Sequence, residues 1–275
     1  MSAPQVTDNA HKGWQASLDL RFCHTPEKTI LFSAHHVGPL TVQRPFYPED
    51  ETCHLYLLHP PAGIVGGDTL DIAVHLDAAC HALITMPGAS KFYRSSGQLA
   101  RLEQHFYLDD DATLEWLPQD TIFFPGANAR LRSVFHLQPS STLLAWELYC
   151  LGRPVINETF SHGTLESRLE VWRDGEPLLI ERQHLAAGDL SPVAHQPWVG
   201  TLLFHPACDD MLERVREQLS PFEHFAGATL TDGLLSVRFL SDDNLICQRV
   251  MRDIWQSLRP LLTPKTACSP RIWQT

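Results

Sequence analysis

The chain has 275 residues, 44% of them hydrophobic and 19% charged, with a formal net charge of −11. That length and apolar content fit one large domain or two small ones, and the acidity argues against nucleic acid and favours basic partners or cations. The charged share lies below the globular norm of about 25%, so some apolar surface is free for a partner.

The opening residues 1–11 carry no apolar core and read as flexible. From Trp14 an alternation begins, with Trp14, Ala16, Leu18, Leu20 and Phe22 on one face. The run CHLYLLH (53–59) reads as a strand covered on both faces. Next comes HPPAGIVGGDTLDI (59–72), a glycine-rich turn that feeds another alternating strand. In that strand Leu70, Ile72, Val74 and Leu76 face one way, and Asp71, His75 and Asp77 the other. HALITM, TIFF and TLLAWELYC are further apolar runs. Alternation returns at Ala100, Leu102, Gln104, Phe106 and Leu108, at Leu131, Ser133, Phe135 and Leu137, and at Leu165, Ser167, Leu169 and Val171. Turn signals such as LDAAC, DDDA and RDGEP separate these strands by roughly 8–12 residues. No repeat of fixed period shows in the sequence.

After about residue 205 the period becomes helical. PACDDMLERVREQL (206–219) puts Met211, Leu212, Val215 and Leu219 on one face, with Asp209 and Asp210 in the first turn. DDNLICQRVMRDIWQSLRPLL (242–262) spaces Leu245, Ile246, Val250, Ile254, Trp255, Leu258 and Leu262 helically, with Ser241 or Asp242 as cap and Pro260 disturbing the end. The expected fold is mainly β: a large multi-stranded body, sandwich-like, barrel-like or β-helical, with two late helices in a single domain, 1–275. Seven scattered cysteines without a CxxC indicate reduced thiols in a cytoplasmic protein. No run of 18 apolar residues predicts a membrane span.

A phosphate loop is excluded on parts. GIVGGD lacks the GK[ST] that would place a lysine and a hydroxyl on phosphate and Mg²⁺. Its glycines precede a strand, whereas a dinucleotide fingerprint opens a helix. Gly63, Gly66 and Gly67 therefore serve a strand-to-strand turn that places Asp68. Fifteen histidines invite a metal reading, yet HExxH and HxH are absent. In Cys53–His54 and Cys80–His81 the neighbours point to opposite faces of a strand, so neither pair chelates locally. In PGASKFYRSSG (87–97), Ser90 and Lys91 are conceivable as a nucleophile pair for a β-barrel hydrolase, but no base or G-x-S-x-G accompanies them. Ser90, Lys91, Tyr93 and Arg94 read instead as a basic, aromatic loop for protein contact.

The odd residues are acids in apolar context. Glu115 sits in TLEWL, Glu147 in LLAWELY and Glu181 in PLLIERQHL; Asp68 ends the glycine turn and Asp120 follows WLPQ. A buried, unpaired carboxylate costs several kcal/mol, about enough to consume a domain's net stability when repeated. Two accounts stand open. Each acid pairs with an arginine, Arg94, Arg130, Arg153 and Arg182 being available, or the acids line a wet passage suited to divalent cations.

HPPAGIVGGDTL, ITMPGASKFYRSSG, LEWLPQDTIFFPGANA, LLAWELYCLGRP and the closing PRIWQT together resemble the UreD family of urease accessory proteins, called UreH in some organisms. The resemblance runs from about Lys12 to Thr275. It implies a mostly β protein without enzyme activity and without a tightly bound cofactor. It implies a scaffold that joins UreF and, through UreF, the GTPase UreG to the urease apoprotein subunits, with a dimer of such heterocomplexes allowed. Transient Ni²⁺ would pass through its interior during nickel insertion, or the scaffold would only dock its partners. By position the resemblance covers Gly63, Gly66, Gly67 and Asp68; Thr85, Pro87, Gly88, Ala89, Ser90 and Lys91; Glu115, Pro118, Gln119 and Asp120; and Glu147 and Glu181. Asp68, Glu115, Asp120, Glu147 and Glu181 become the candidate nickel-passage residues. Ala62 departs from the family's usual glycine, with little effect expected.

Overall fold

A computed structural model describes residues 13–61, 63–186, 188–222 and 225–274. The expectations for residues 1–11 and for Ala62 fall outside the described residues. The strands in chain order are β1 Gln15–His24, β2 Thr29–Val37, β3 Thr41–Val42, β4 Cys53–Leu58, β5 Thr69–Leu76, β6 His81–Thr85, β7 Ser90–Phe92, β8 Ala100–Leu108 and β9 Thr113–Trp116. They continue as β10 Thr121–Phe123, β11 Asn128–Leu137, β12 Thr142–Arg153, β13 Glu158–Thr159, β14 Thr164–Arg173, β15 Glu176–Ala186, β16 Trp198–His205, β17 Ala226–Thr231 and β18 Leu234–Ser241. Two helices complete the set, α1 Asp209–Leu219 between β16 and β17, and α2 Asn244–Leu262.

The strands wind as a β-solenoid. Sheet I has seven strands in the order β15-β14-β11-β8-β5-β1-β2; the run β1, β5, β8, β11, β14 is parallel throughout, and β2 and β15 close it as antiparallel partners. Sheet II has eleven strands and changes character: β4, β6, β9 and β12 are parallel, while β16, β18 and β17 continue antiparallel. Each coil climbs sheet I, turns a corner, crosses sheet II and returns through a short third run, β7 or β10. The corners stack. Within them Cys80, Ala112 and Ser141 donate backbone hydrogen bonds to Asp77, Asp109 and Gln138, and Ala79 and Asp111 take left-handed backbone angles. Between coils Thr113 donates to Cys80, and Thr142 to Ala112.

This is a repeat that the sequence hides. Thr69, Arg101, Arg130 and Glu166 stand side by side in sheet I, so the coil length changes from one turn to the next. The corner segments HLDAACHALI, YLDDDATLEW and HLQPSSTLLA share a strand–turn–strand grammar but few identities.

Two cores lie on either side of sheet II. Between the sheets Leu18, Leu20, Phe22, Phe106, Phe135 and Val171 from sheet I meet Leu55, Leu114, Leu143 and Ala145 from sheet II. On the outer side of sheet II, Leu83, Leu144, Trp146 and Leu148 meet Met211, Val215, Ile254, Trp255 and Leu258 of the helices. The patterns follow from this layering. Sheet I exposes its outer face and alternates, as in β5 and β8. Sheet II is covered on both faces, so β4 and β12 read as continuous apolar runs. At about 1.5–3 kcal/mol per fully buried large side chain, both layers are needed to offset chain entropy.

The helices differ from expectation in detail. The cap of α2 is Asp243, whose Oδ1 accepts from the N–H groups of Leu245 and Ile246 at 2.7 and 3.3 Å; Ser241 and Asp242 do not perform that role. Leu245 is 71% exposed, and the buried face instead takes in Cys247, Met251 and Arg259. Pro260 is accommodated in the last turn, two residues before the helix end. Trp14, grouped with the inward residues by alternation, precedes β1 and is exposed.

Candidate functional site

The glycine stretch is a clasp around Asp68. Asp68 is buried, and its two carboxylate oxygens accept the N–H groups of Trp14 and Val65 at 2.8 and 2.9 Å. This ties the entry of β1 to the turn before β5. Gly67 has φ +97°, a region that side chains avoid, and a Cβ on Gly63 would stand 1.9 Å from the Tyr93 ring. Both oxygens are used by backbone, so Asp68 organises the turn.

Glu115 is fully buried on the outer face of sheet II, level with Leu83 and Leu144 of neighbouring strands. The Arg259 guanidinium from α2 donates to it from Nε at 3.0 Å and Nη2 at 2.8 Å. Trp255 Nε1 donates at 2.8 Å, and His81 Nε2 lies 2.8 Å from Oε1. Arg259 also binds Glu49, which His54 contacts at 2.7 Å. Burial raises the Glu115 carboxyl, but the His81 and Arg259 contacts outweigh it and bring it down to about 2. The network pins α2 and the chain after it to sheet II. The arginine that pairs Glu115 is none of the four the sequence offered. Arg130 bonds Glu166 and Arg153 bonds Glu158, both near the surface.

Glu147 and Glu181 share a cavity. Between the sheets, where β14 and β15 face the antiparallel end of sheet II, a cavity of about 430 Å³ remains. Glu147 and Tyr149 of β12, Ser167 of β14, Glu181 and Gln183 of β15, Thr201 of β16 and Arg238 of β18 line it. Glu147 accepts from the Ser133 hydroxyl at 2.5 Å and the Tyr149 hydroxyl at 2.7 Å. Burial pushes its carboxyl up and Glu181 adds repulsion, while the two hydroxyl bonds pull the other way without cancelling the rise. Glu181 accepts from Arg238 Nε at 2.9 Å. A pair of acids, three hydroxyls and two amide or guanidinium groups around an open volume make a wet, oxygen-rich chamber.

Asp120 lies elsewhere. It is buried at the edge of a surface groove of about 770 Å³ whose lining includes Lys91, Arg153, Trp198 and Leu245. Desolvation raises its carboxyl, with Lys91 opposing. Lys91 thus faces the groove, whereas the Ser90 hydroxyl donates to the Met86 sulfur at 3.8 Å. Adjacent on one strand, Ser90 and Lys91 point apart and form no dyad. Tyr93 packs edge-on against Phe124, and Arg94 borders Gly126. Among the described residues no group of three or more His, Cys, Asp or Glu is placed to hold a metal ion, so the five candidate acids do not converge on one site.

Sequence reading missed Arg238, Arg259 and Glu49, and considered His81 only as half of a local Cys80–His81 pair and not as a partner of Glu115. Arg259 follows Trp255 by four positions on the apolar stripe of α2, and Arg238 interrupts the apolar run LLSVRFL. Both carry the signal that singled out the acids, a charge where packing predicts an apolar residue. All seven cysteines are free thiols.

Fold and site together define a helix-backed β-solenoid with a carboxylate-lined pocket, open to solvent, between its sheets. Its sequence then supplies the family. A family model described as UreD urease accessory protein matches residues 15–274. The chain is 77% identical over 263 residues to the urease accessory protein UreD of Enterobacter sp. (strain 638), covering 96% of each chain. It is 70% identical to that of Klebsiella aerogenes over 264 residues, covering 96% of this chain and 98% of the relative. To that of Pseudomonas putida (strain GB-1) it is 51% identical over 263 residues, covering 96% and 95%. The chain belongs to the UreD family of urease accessory proteins. Among the described residues no helix is long and apolar enough to cross a membrane.

Proposed function

We propose that this protein is a non-catalytic scaffold of urease maturation that joins UreF, and through it the GTPase UreG, to apo-urease, and that Ni²⁺ passes through the Glu147–Glu181 chamber on its way to the urease centre. The observation that carries the nickel reading is the chamber itself: two acids from different sheets face one solvent-open pocket lined with hydroxyls. Carboxylates and hydroxyls suit an ion in transit, because hard oxygen donors hold Ni²⁺ less tightly than thiolate or imidazole clusters and so let it leave. Cargo Ni²⁺ would keep part of its water shell in a space of this size. Asp68 and Glu115, whose oxygens are taken by backbone and by Arg259, contribute to the scaffold. Asp120 and Lys91 contribute to the groove beside β7.

The test is the double substitution Glu147→Gln/Glu181→Gln. The fold and the pull-down of UreF, UreG and apo-urease should persist, while bound nickel and urease activation fall. Normal activation in that variant removes the chamber from the route and leaves a docking scaffold. Loss of the complex assigns both acids to structure.

A further inference from the structure

The chamber already contains a cation. Arg238 of β18 reaches Glu181 of β15 across the space between the sheets, with Nε and Nη2 both on Oε2. The two residues lie 57 positions apart and on different sheets, so the contact is not a by-product of strand pairing. Neither is deeply buried: their side chains are 40% and 34% exposed, which leaves room for the guanidinium to swing away. Glu147, the other acid of the chamber, has its two oxygens on the Ser133 and Tyr149 hydroxyls. Glu181 is thus the acid whose partner is charged and part-exposed.

Resting on the nickel reading above, we propose that Arg238 is an internal competitor for the cation, occupying Glu181 when the chamber is empty and yielding it when a divalent ion enters. It is a positioning and affinity-setting residue. A planar guanidinium that matches a carboxylate is a strong rival for a monovalent or weakly held ion. A divalent ion at the same oxygen has twice the charge and can take Glu181. Once displaced, the guanidinium remains nearby and repels the ion, which favours onward movement. The device keeps affinity low without removing ligands, and a chamber of two bare carboxylates would hold its ion longer.

The experiment uses the full chain and Ni²⁺ alone, read by equilibrium dialysis, with thermal unfolding as the fold control. Arg238→Gln should bind Ni²⁺ about tenfold more tightly, because a positive charge leaves the site and Glu181 is freed. Adding Glu181→Gln to Arg238→Gln should abolish that gain. Arg238→Lys, which keeps the charge but loses the fork, should show a smaller gain and serves if Arg238→Gln does not fold. Unchanged or weaker binding in Arg238→Gln, or an equal gain in the double variant, overturns the proposal. Failure here is separable from failure of the nickel route. Reduced activation in Glu147→Gln/Glu181→Gln with no gain in Arg238→Gln leaves the route standing and removes the competitor. Normal activation in Glu147→Gln/Glu181→Gln removes the route.

Discussion

Replacing Glu115 by glutamine keeps its shape and deletes its charge, which tests the division of labour among the acids. In the native protein the carboxylate receives Arg259 on both oxygens, Trp255 at 2.8 Å and His81 at 2.8 Å. The substitute has one oxygen and an NH₂ group that faces those donors. Arg259, wholly buried, would keep its charged partner Glu49 and the Thr266 carbonyl but only one neutral amide oxygen at position 115. Removing one partner of a buried pair costs about 3–5 kcal/mol, and the surviving Glu49 contact sets the expectation near the lower end, about 3 kcal/mol. For a chain of this size that is a fall in Tm of roughly 6–12 °C. The matched control is Glu147→Gln, whose carboxyl is already pushed toward neutrality by burial, so the same change should cost about 1 kcal/mol or less. Chemical and thermal unfolding of both variants, followed by tryptophan fluorescence, measures the contrast. Equal stability of Glu115→Gln and the parent, or a larger loss in Glu147→Gln, would refute the assignment of Glu115 to structure and Glu147 to the chamber.

The acid limb of stability should carry the same signature: the Glu115 carboxyl lies at about 2, below its ordinary 4.5, so its contribution of about 3 kcal/mol is intact above pH 4.5 and is lost as pH falls toward 2. Unfolding midpoints of parent and Glu115→Gln should converge over that window, and a constant gap down to pH 2 contradicts the shift. Trp273→Ala should destabilise by about 3 kcal/mol, because this tail indole packs against Trp146 and Trp255 at 5.2 and 5.3 Å and its Nε1 meets Thr85; an unchanged denaturant midpoint would show a frayed tail. Gly63→Ala should lower stability by about 1–3 kcal/mol, since its Cβ would enter the Tyr93 ring, and trimming that ring in Gly63→Ala/Tyr93→Ala should recover part of the loss. Expressed without partners, the protein should be poorly soluble, because Phe32, Val155 and Leu245 are 68%, 96% and 71% exposed; abundant monomer at high concentration would count against a partner surface there.

How far the sequence could be read depended on which layer a residue occupied. The period-two faces of β5, β8, β11 and β14 were visible because sheet I has one wet face, and α1 was visible because its stripe of Met211, Leu212, Val215 and Leu219 faces sheet II. The solenoid winding was not visible. Parallel pairing joins strands about thirty residues apart, and the coils share corner geometry carried by backbone hydrogen bonds more than by residue identity. The acids were legible as anomalies, but their partners were not. Arg259 is 144 positions from Glu115, and no local rule reaches that far. Nearby arginines were the natural guess and were the wrong ones: Arg130 and Arg153 satisfy Glu166 and Glu158 on adjacent strands, where pairing is cheap and solvent-exposed.

What separates Glu115 from Glu147 is the face of the strand on which each stands. In β12, Ala145 and Tyr149 point between the sheets, while Leu144, Trp146 and Leu148 point at the helices. Glu147 has the parity of Ala145 and Tyr149, so it enters the space between the sheets. Glu115 stands level with Leu144 in register and meets the helix layer. The helix layer is dense with Trp255, Ile254 and Leu258, so an acid there survives only if an arginine of α2 comes with it. The space between the sheets is filled by leucine and phenylalanine along the coils, but beyond them it is bounded by Ser167, Gln183 and Thr201, and there an acid meets hydroxyls, amides and a half-exposed arginine. A shift of one residue along β12 would exchange these surroundings. The chamber is therefore a consequence of register: the strand that carries the apolar layer under α2 delivers, on its alternate positions, the carboxylate that faces the pocket between the sheets.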